Sequence, residues 1–188
     1  ELKDAYHAVV FCCGAETDRE LGIPGENLTG SHAATAFVGW YNGHPDFLQH
    51  SFDLTQEQAV IIGQGNVAAD VCRILAKPVD DLRQTDIAEH ALQALAESRV
   101  REIHIIGRRG PAQAKFTDKE LRELGEIPQA GVSLDPADLV LDPASAKEIE
   151  DPRGQTAAWN MALLREFASR PLAQARRRIH FRFLESPV

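Results

Sequence analysis

The stretch Ala59–Leu75, AVIIGQGNVAADVCRIL, limits what this chain can fold into more than any other. Ala59, Val60, Ile61 and Ile62 form an apolar run that reads as a buried parallel strand. Gly63-Gln64-Gly65-Asn66-Val67-Ala68 follows and fits the G-x-G-x-x-G/A turn, with alanine in the third small position. Val67, Val71 and Ile74 then recur at helical spacing and predict one apolar helix face. Strand, tight turn and helix together bring bare backbone close to a pyrophosphate. A side chain at Gly65 would hold the phosphates off, and a helix beginning near Asn66 offers unpaired N–H groups and the positive end of its dipole. The expectation is an α/β, Rossmann-like domain with a central parallel sheet, binding a dinucleotide at Gly63, Gln64, Gly65, Asn66 and Val67.

A second strand, Val100–Ile106, answers the first and ends in Gly107-Arg108-Arg109-Gly110. A cofactor with a free ribose 2′-hydroxyl is usually held at this place by a carboxylate. Two guanidinium groups pair instead with a 2′-phosphate, and one can also stack on adenine. Arg108 and Arg109 therefore select NADP(H) over NAD(H). The usual spacing from fingerprint to ribose-reading residue is about 20 residues. Here it is roughly double, and a helix with Ile87, Ala91, Ala94 and Leu95 on one face, capped by Thr85, accounts for the delay. Thr117-x-x-Glu120 reads as a capping box opening a helix with Leu121 and Leu124 inside. Glu120 has two readings, a purely structural cap and a hydrogen-bond acceptor for the cofactor.

The rest of the chain gives the frame. Tyr6–Phe11 is apolar and β-rich, with a strand predicted over Ala8–Cys12 and closed by Cys13-Gly14-Ala15. A helix with Ala33, Phe37, Trp40 and Tyr41 follows between Ser31 and Tyr41. Asp135–Arg153 is rich in Asp, Pro and Ala and reads as a surface excursion. Ala157, Met161, Leu164 and Ala168 define a last helix, and Ile179, Phe181 and Phe183 alternate with His180 and Arg182 in a last strand.

Composition excludes several function classes. A net charge of −8 over 188 residues argues against a nucleic-acid-binding surface. No apolar run approaches the roughly 20 residues needed to cross a membrane. Three cysteines, Cys12, Cys13 and Cys72, make no disulfide framework and read as small buried residues of a reducing cytoplasm. The absence of C-x-x-C removes a thioredoxin-reductase-type redox disulfide. No G-x-S-x-G elbow or H-E-x-x-H helix occurs, and His44, Asp46 and His50 read as ordinary loop residues rather than metal ligands. No catalytic acid or base is assigned. A chain that opens on Glu1, enters an apolar stretch at once and stops just after a strand is expected to be a domain of a longer protein.

With fingerprint, arginine pair and capping box in place, the chain resembles the NADP-binding domain of the adrenodoxin-reductase-like ferredoxin–NADP reductases of mitochondria and actinobacteria. The matching stretches include AETDRELGIPGENLTG, FVGWYNGHPDF, VIIGQGNVAADVCRIL, IGRRGPAQAKFTDKELRELGE and RRIHFRFLESPV. They run from Glu16 to Val188 and fail mainly between Asp135 and Ala175. The resemblance implies a flavoprotein in which NADPH delivers hydride to FAD, and the flavin passes single electrons to ferredoxin. FAD would sit in a separate domain of the same chain and is not expected in these residues. Residues 1–15 would be the strand leaving that FAD domain, and residues 16–188 the NADP-binding domain. The family's cofactor contacts match at Gln64, Gly65, Asn66 and Val67, at Arg108 and Arg109, at Glu120, and at Arg19. Relatives mostly carry Ala-Thr-Gly or Ala-Val-Gly where this chain has Cys12-Cys13-Gly14. Their vertebrate members carry a basic ferredoxin-docking segment where it reads GQTAAWNMALL. The implied setting is a bacterial, actinobacterial cytoplasm. Two alternatives stand beside this reading: the NADPH-oxidising subunit of a glutamate-synthase-like flavoprotein, and a binding module inactive on its own.

Overall fold

The computed structural model describes residues 1–10, 18–151, 154–171 and 175–188. The elements run α1 (Leu2–Ala5), α2 (Ala34–Tyr41), β1 (Gln58–Ile62), α3 (Asn66–Ala76), α4 (Val79–Leu82), α5 (Glu89–Ala96), β2 (Glu102–Gly107), α6 (Asp118–Leu124), β3 (Ala130–Ser133), α7 (Pro143–Glu150), α8 (Gln155–Ser169) and β4 (Arg177–Phe183). The four strands pair in the order β1-β2-β4-β3, every pair parallel. The α/β, parallel-sheet expectation is met.

Strand alternation sets the core. Ile103 and Ile105 of β2 and Ile179, Phe181 and Phe183 of β4 all point to one face and are buried. Helix residues Leu121, Leu124, Met161, Leu164 and Phe167 join them in one hydrophobic cluster. Each such side chain contributes about 1.5–3 kcal/mol when removed from water. The opposite face carries no helix among the described residues. Val60 and Ile62 stand 57% and 48% exposed there. Beside them His104 and His180 stack with ring centroids 4.7 Å apart. His180 also pairs with Glu102 at 2.5 Å. Burial, then the neighbouring His180 and Arg182 charges, hold the His104 imidazole below its usual range.

Several expectations need correction. The fingerprint strand β1 is parallel but not buried: it is an edge strand of an uncovered sheet face, so its apolar run is half exposed. Of the predicted face of α3, Val71 is buried and Ile74 packs half-buried against the core, but Val67 is 53% exposed; the buried residues of the helix are Ala68, Ala69, Val71, Cys72, Leu75 and Ala76. Small residues win because the helix packs close to the sheet. No strand forms over the described residues Tyr6–Val10; Tyr6 and Val10 are exposed and pair with no neighbouring strand. Phe11 and Cys12–Ala15 lie outside the described residues. Thr85 does not cap α5. Its hydroxyl donates to the Leu82 carbonyl at 2.7 Å, closing α4, and α5 begins four residues later at Glu89. The region 135–153 is not featureless. Asp142 accepts from the Ala144 and Ser145 N–H groups, and Pro143 occupies the first position of α7.

Candidate functional site

The fingerprint turn leaves β1 at Gly63, whose N–H still donates to the Ile106 carbonyl of β2 at 2.8 Å. Gly63 has φ +127, a conformation that side-chain-bearing residues rarely adopt. Gly65 then caps α3 with extended backbone, and the first helical bond runs from the Ala69 N–H to the Gly65 carbonyl at 3.1 Å. The N–H groups of the first turn ahead of Ala69 have no acceptor within the helix. A Cβ placed on Gly65 would meet nothing within 4 Å, so open space lies against the backbone. The turn therefore has the form that a phosphate group can approach.

Two side chains of the turn are occupied structurally. Gln64 crosses the end of β2 and donates from Nε2 to the Arg182 carbonyl of β4 at 3.0 Å. Gly107 makes room for it: a Cβ there would meet Gln64 Cδ at 2.2 Å. Asn66 Oδ1 accepts the Thr117 N–H at 2.8 Å, tying the start of α3 to the start of α6. Gln64 and Asn66 are thus left to act on a ligand chiefly through backbone.

Register brings the arginines to the turn. Ile62 pairs with Ile106, so Gly63 and Gly107 sit beside each other on adjacent strands, about 4.8 Å apart. Arg108 and Arg109 follow directly. Their loop is braced from below by the end of β4, where the Glu185 N–H donates to the Gly107 carbonyl and the Leu184 N–H to the Arg109 carbonyl, at 3.1 and 3.2 Å. Leu184 adopts φ +58 to turn both N–H groups that way, an uncommon conformation for a side-chain-bearing residue. Both guanidiniums are exposed, and neither makes an ion pair or side-chain hydrogen bond among the described residues.

The remaining predicted residues are placed differently. Thr117 does cap α6 through Oγ1, but Glu120 does not return the bond. Its carboxylate meets Arg73 of α3 at 2.9 Å, in a cluster that includes Asp70 and Glu123. Burial, only partly offset by Arg73, pushes the Asp70 carboxyl above its usual range. Arg19 is exposed and follows Asp18, which accepts the Thr35 N–H at 3.2 Å at the start of α2. Val67 is at the exposed mouth of α3. His44 Nδ1 accepts the Asp46 N–H, and His44 and His50 both lie against Phe47. Cys72 is fully buried, which pushes its thiol far up.

Sequence reasoning missed the segment that closes the site from the side. Lys115 forms a parallel bridge with Gly65, its N–H donating to the Gln64 carbonyl at 2.7 Å. Phe116, buried in the core, has its carbonyl held by Nδ2 of the buried Asn160 at 2.8 Å. An unexpected Asn inside an apolar helix face was the only available signal.

A parallel α/β sheet with a glycine turn at one strand end and two unpaired arginines at the next defines a dinucleotide-binding domain of the Rossmann type. The relatives sharpen this. The chain is 49% identical over 192 residues to NADPH-ferredoxin reductase FprA of Mycobacterium tuberculosis, covering all of this chain and 41% of that protein. It is 47% identical to the mitochondrial NADPH:adrenodoxin oxidoreductase of Arabidopsis thaliana and 48% identical to that of Bos taurus, covering 39% of each. The structure of Mycobacterium tuberculosis FprA in complex with NADPH matches with a TM-score of 0.87 at 48% identity, over all of this chain and 40% of that one. No protein-family model matches the chain. The chain is thus homologous, over its whole length, to one segment of the adrenodoxin-reductase-like ferredoxin–NADP reductases, and spans about two fifths of the curated relatives it matches. Among the described residues no helix is long and apolar enough to cross a membrane.

Proposed function

We propose that this chain is the NADP(H)-binding domain of a ferredoxin–NADP reductase, holding NADPH for hydride transfer to FAD and onward electron transfer to ferredoxin. The observation that carries the reading is the adjacency of an open Gly65 backbone and the unpaired Arg108–Arg109 loop at neighbouring strand ends. In this reading the turn Gly63–Val67 takes the pyrophosphate on backbone N–H groups. Arg108 and Arg109 take the 2′-phosphate, and Arg19 and Glu120 are further contacts. NADPH, when bound, supplies the hydride; the protein supplies geometry and electrostatics. The structure of FprA with bound NADPH, at 48% identity, supports the choice of cofactor. FAD and a ferredoxin partner follow from the family, with residues 1–15 leading from the FAD domain and residues 16–188 forming this one. The setting proposed is a bacterial cytoplasm.

The test is calorimetric titration of the chain with NADP and, separately, with NAD. NADP is expected to bind at least about tenfold tighter, the equivalent of one charge-assisted contact. Equal affinities would remove the arginines from the 2′-phosphate. NADPH oxidation by the chain with added FAD and an electron acceptor is expected to stay negligible. Turnover near that of a complete reductase would overturn its role as a domain dependent on a partner domain.

A further inference from the structure

The fingerprint turn is flanked by a cation that the glycine pattern does not contain. Gly65 and Lys115 are partners in a parallel bridge. Residues paired across parallel backbone project their side chains to the same face. On that face Gly65 has no side chain, and a Cβ there would meet open space. Burial alternates through the segment: Ala114 and Phe116 are buried, Lys115 and Thr117 exposed. Lys115 therefore rises on the solvent side, beside the bare backbone of Gly65. Its ammonium has no carboxylate partner among the described residues.

The backbone beneath it is held from three directions. The Lys115 N–H donates to the Gln64 carbonyl at 2.7 Å, and the Thr117 N–H donates to Asn66 Oδ1 at 2.8 Å. Between them the Phe116 ring is sunk in the core, and its carbonyl is anchored by Asn160. The stem of Lys115 is thus fixed to the turn itself, and only the flexible end of the side chain must be ordered when an anion arrives.

We propose that Lys115 is a pyrophosphate-binding residue of the dinucleotide site, a point charge added to the backbone N–H groups of the turn. The inference rests on the NADP(H) reading above and extends it to a group more than 40 residues from the fingerprint. It also divides the labour: Lys115 serves the phosphates common to NADP and NAD, while Arg108 and Arg109 serve the 2′-phosphate alone.

The experiment titrates the wild-type chain, Lys115→Ala and Lys115→Arg with NADP and with 2′-AMP, which carries the 2′-phosphate but no pyrophosphate. Melting temperature serves as the check on folding, and an exposed lysine is expected to leave it unchanged. Lys115→Ala is expected to weaken NADP binding by about three- to tenfold at low ionic strength, less as salt is raised. Its affinity for 2′-AMP is expected to be unchanged, and Lys115→Arg to restore most of the NADP affinity. NADP binding by Lys115→Ala equal to wild type would overturn the inference. So would equal weakening of NADP and 2′-AMP, which would move Lys115 to the 2′-phosphate. A wild-type chain that bound neither compound would overturn the dinucleotide reading and this inference with it.

Discussion

Replacing Arg108 and Arg109 together by alanine removes the two charges proposed to hold the 2′-phosphate. The structure limits what else the change can do. Both side chains are exposed and make no side-chain bond among the described residues, and the brace from Leu184 and Glu185 reaches only main-chain carbonyls, which alanine keeps. The melting temperature should therefore hold. In binding, each charge-assisted hydrogen bond to a phosphate is worth about 1.5 kcal/mol at the low end appropriate to an exposed group. Two give about 3 kcal/mol, or roughly a 150-fold loss of NADP affinity at about 1.4 kcal/mol per tenfold. NAD has no 2′-phosphate, so its affinity should change by less than about threefold on the same scale. Calorimetry at two ionic strengths adds a second readout, because the arginine contribution is screened by salt. A double variant that melts like wild type and binds NADP within about threefold of it would refute the 2′-phosphate assignment.

Three further outcomes follow from the geometry. Gly65→Val should fold normally, since its side chain would enter open space, yet lose NADP binding by more than about tenfold in the same titration because that space is the one proposed for the phosphates. Gly107→Ala should cost no more than about 1 kcal/mol in denaturant unfolding, because its Cβ would displace only the flexible end of Gln64 from an exposed hydrogen bond to the Arg182 carbonyl. His104 has its folded-state pKa held below the unfolded value near 6.5. Its unfolded state takes up the proton first, so stability is full above about pH 6.5 and falls as the pH drops below it; His104→Gln should flatten that slope in melts between about pH 7.5 and 5.5.

The fold was legible where one residue pattern had one structural meaning. The alternation of Ile179, Phe181 and Phe183 gave β4 its inner face, and Met161 and Leu164 gave α8 its own. It was illegible where the meaning depended on a neighbour. An apolar run such as Ala59–Ile62 reads the same in a central strand and in an edge strand with one bare face. Only the sheet order separates them, and parallel order is a long-range fact. The face of α3 read from Val67, Val71 and Ile74 holds at Val71 but not at Val67, because Ala68, Ala69, Cys72, Leu75 and Ala76 bury beside Val71 while Val67 turns outward. α7 was overlooked although Asp142-Pro143 is a local start signal, because its apolar periodicity is weak and no residue of it is fully buried.

The site divides along the same line. Gly63, Gly65 and the arginine pair were readable as candidates because the proposed role of each rests on its own backbone conformation or its own charge. Asn66, Gln64 and Glu120 stand out by position in the sequence, but their side chains are tied to Thr117, Arg182 and Arg73, groups 47 to 118 residues away. Lys115 and Asn160 were invisible for the converse reason: neither belongs to a spacing pattern, and their relation to the turn exists only once Phe116 is buried between them. That burial links the core to the site. Asn160→Ala, which frees the Phe116 carbonyl inside the protein, should cost about 2–3 kcal/mol of stability in denaturant unfolding. It should also weaken NADP binding under conditions where the chain is fully folded, because Lys115 and Thr117 lose the anchor beneath them. Loss of stability with NADP affinity intact would show that the segment holds its place through its bonds to Gln64 and Asn66 alone.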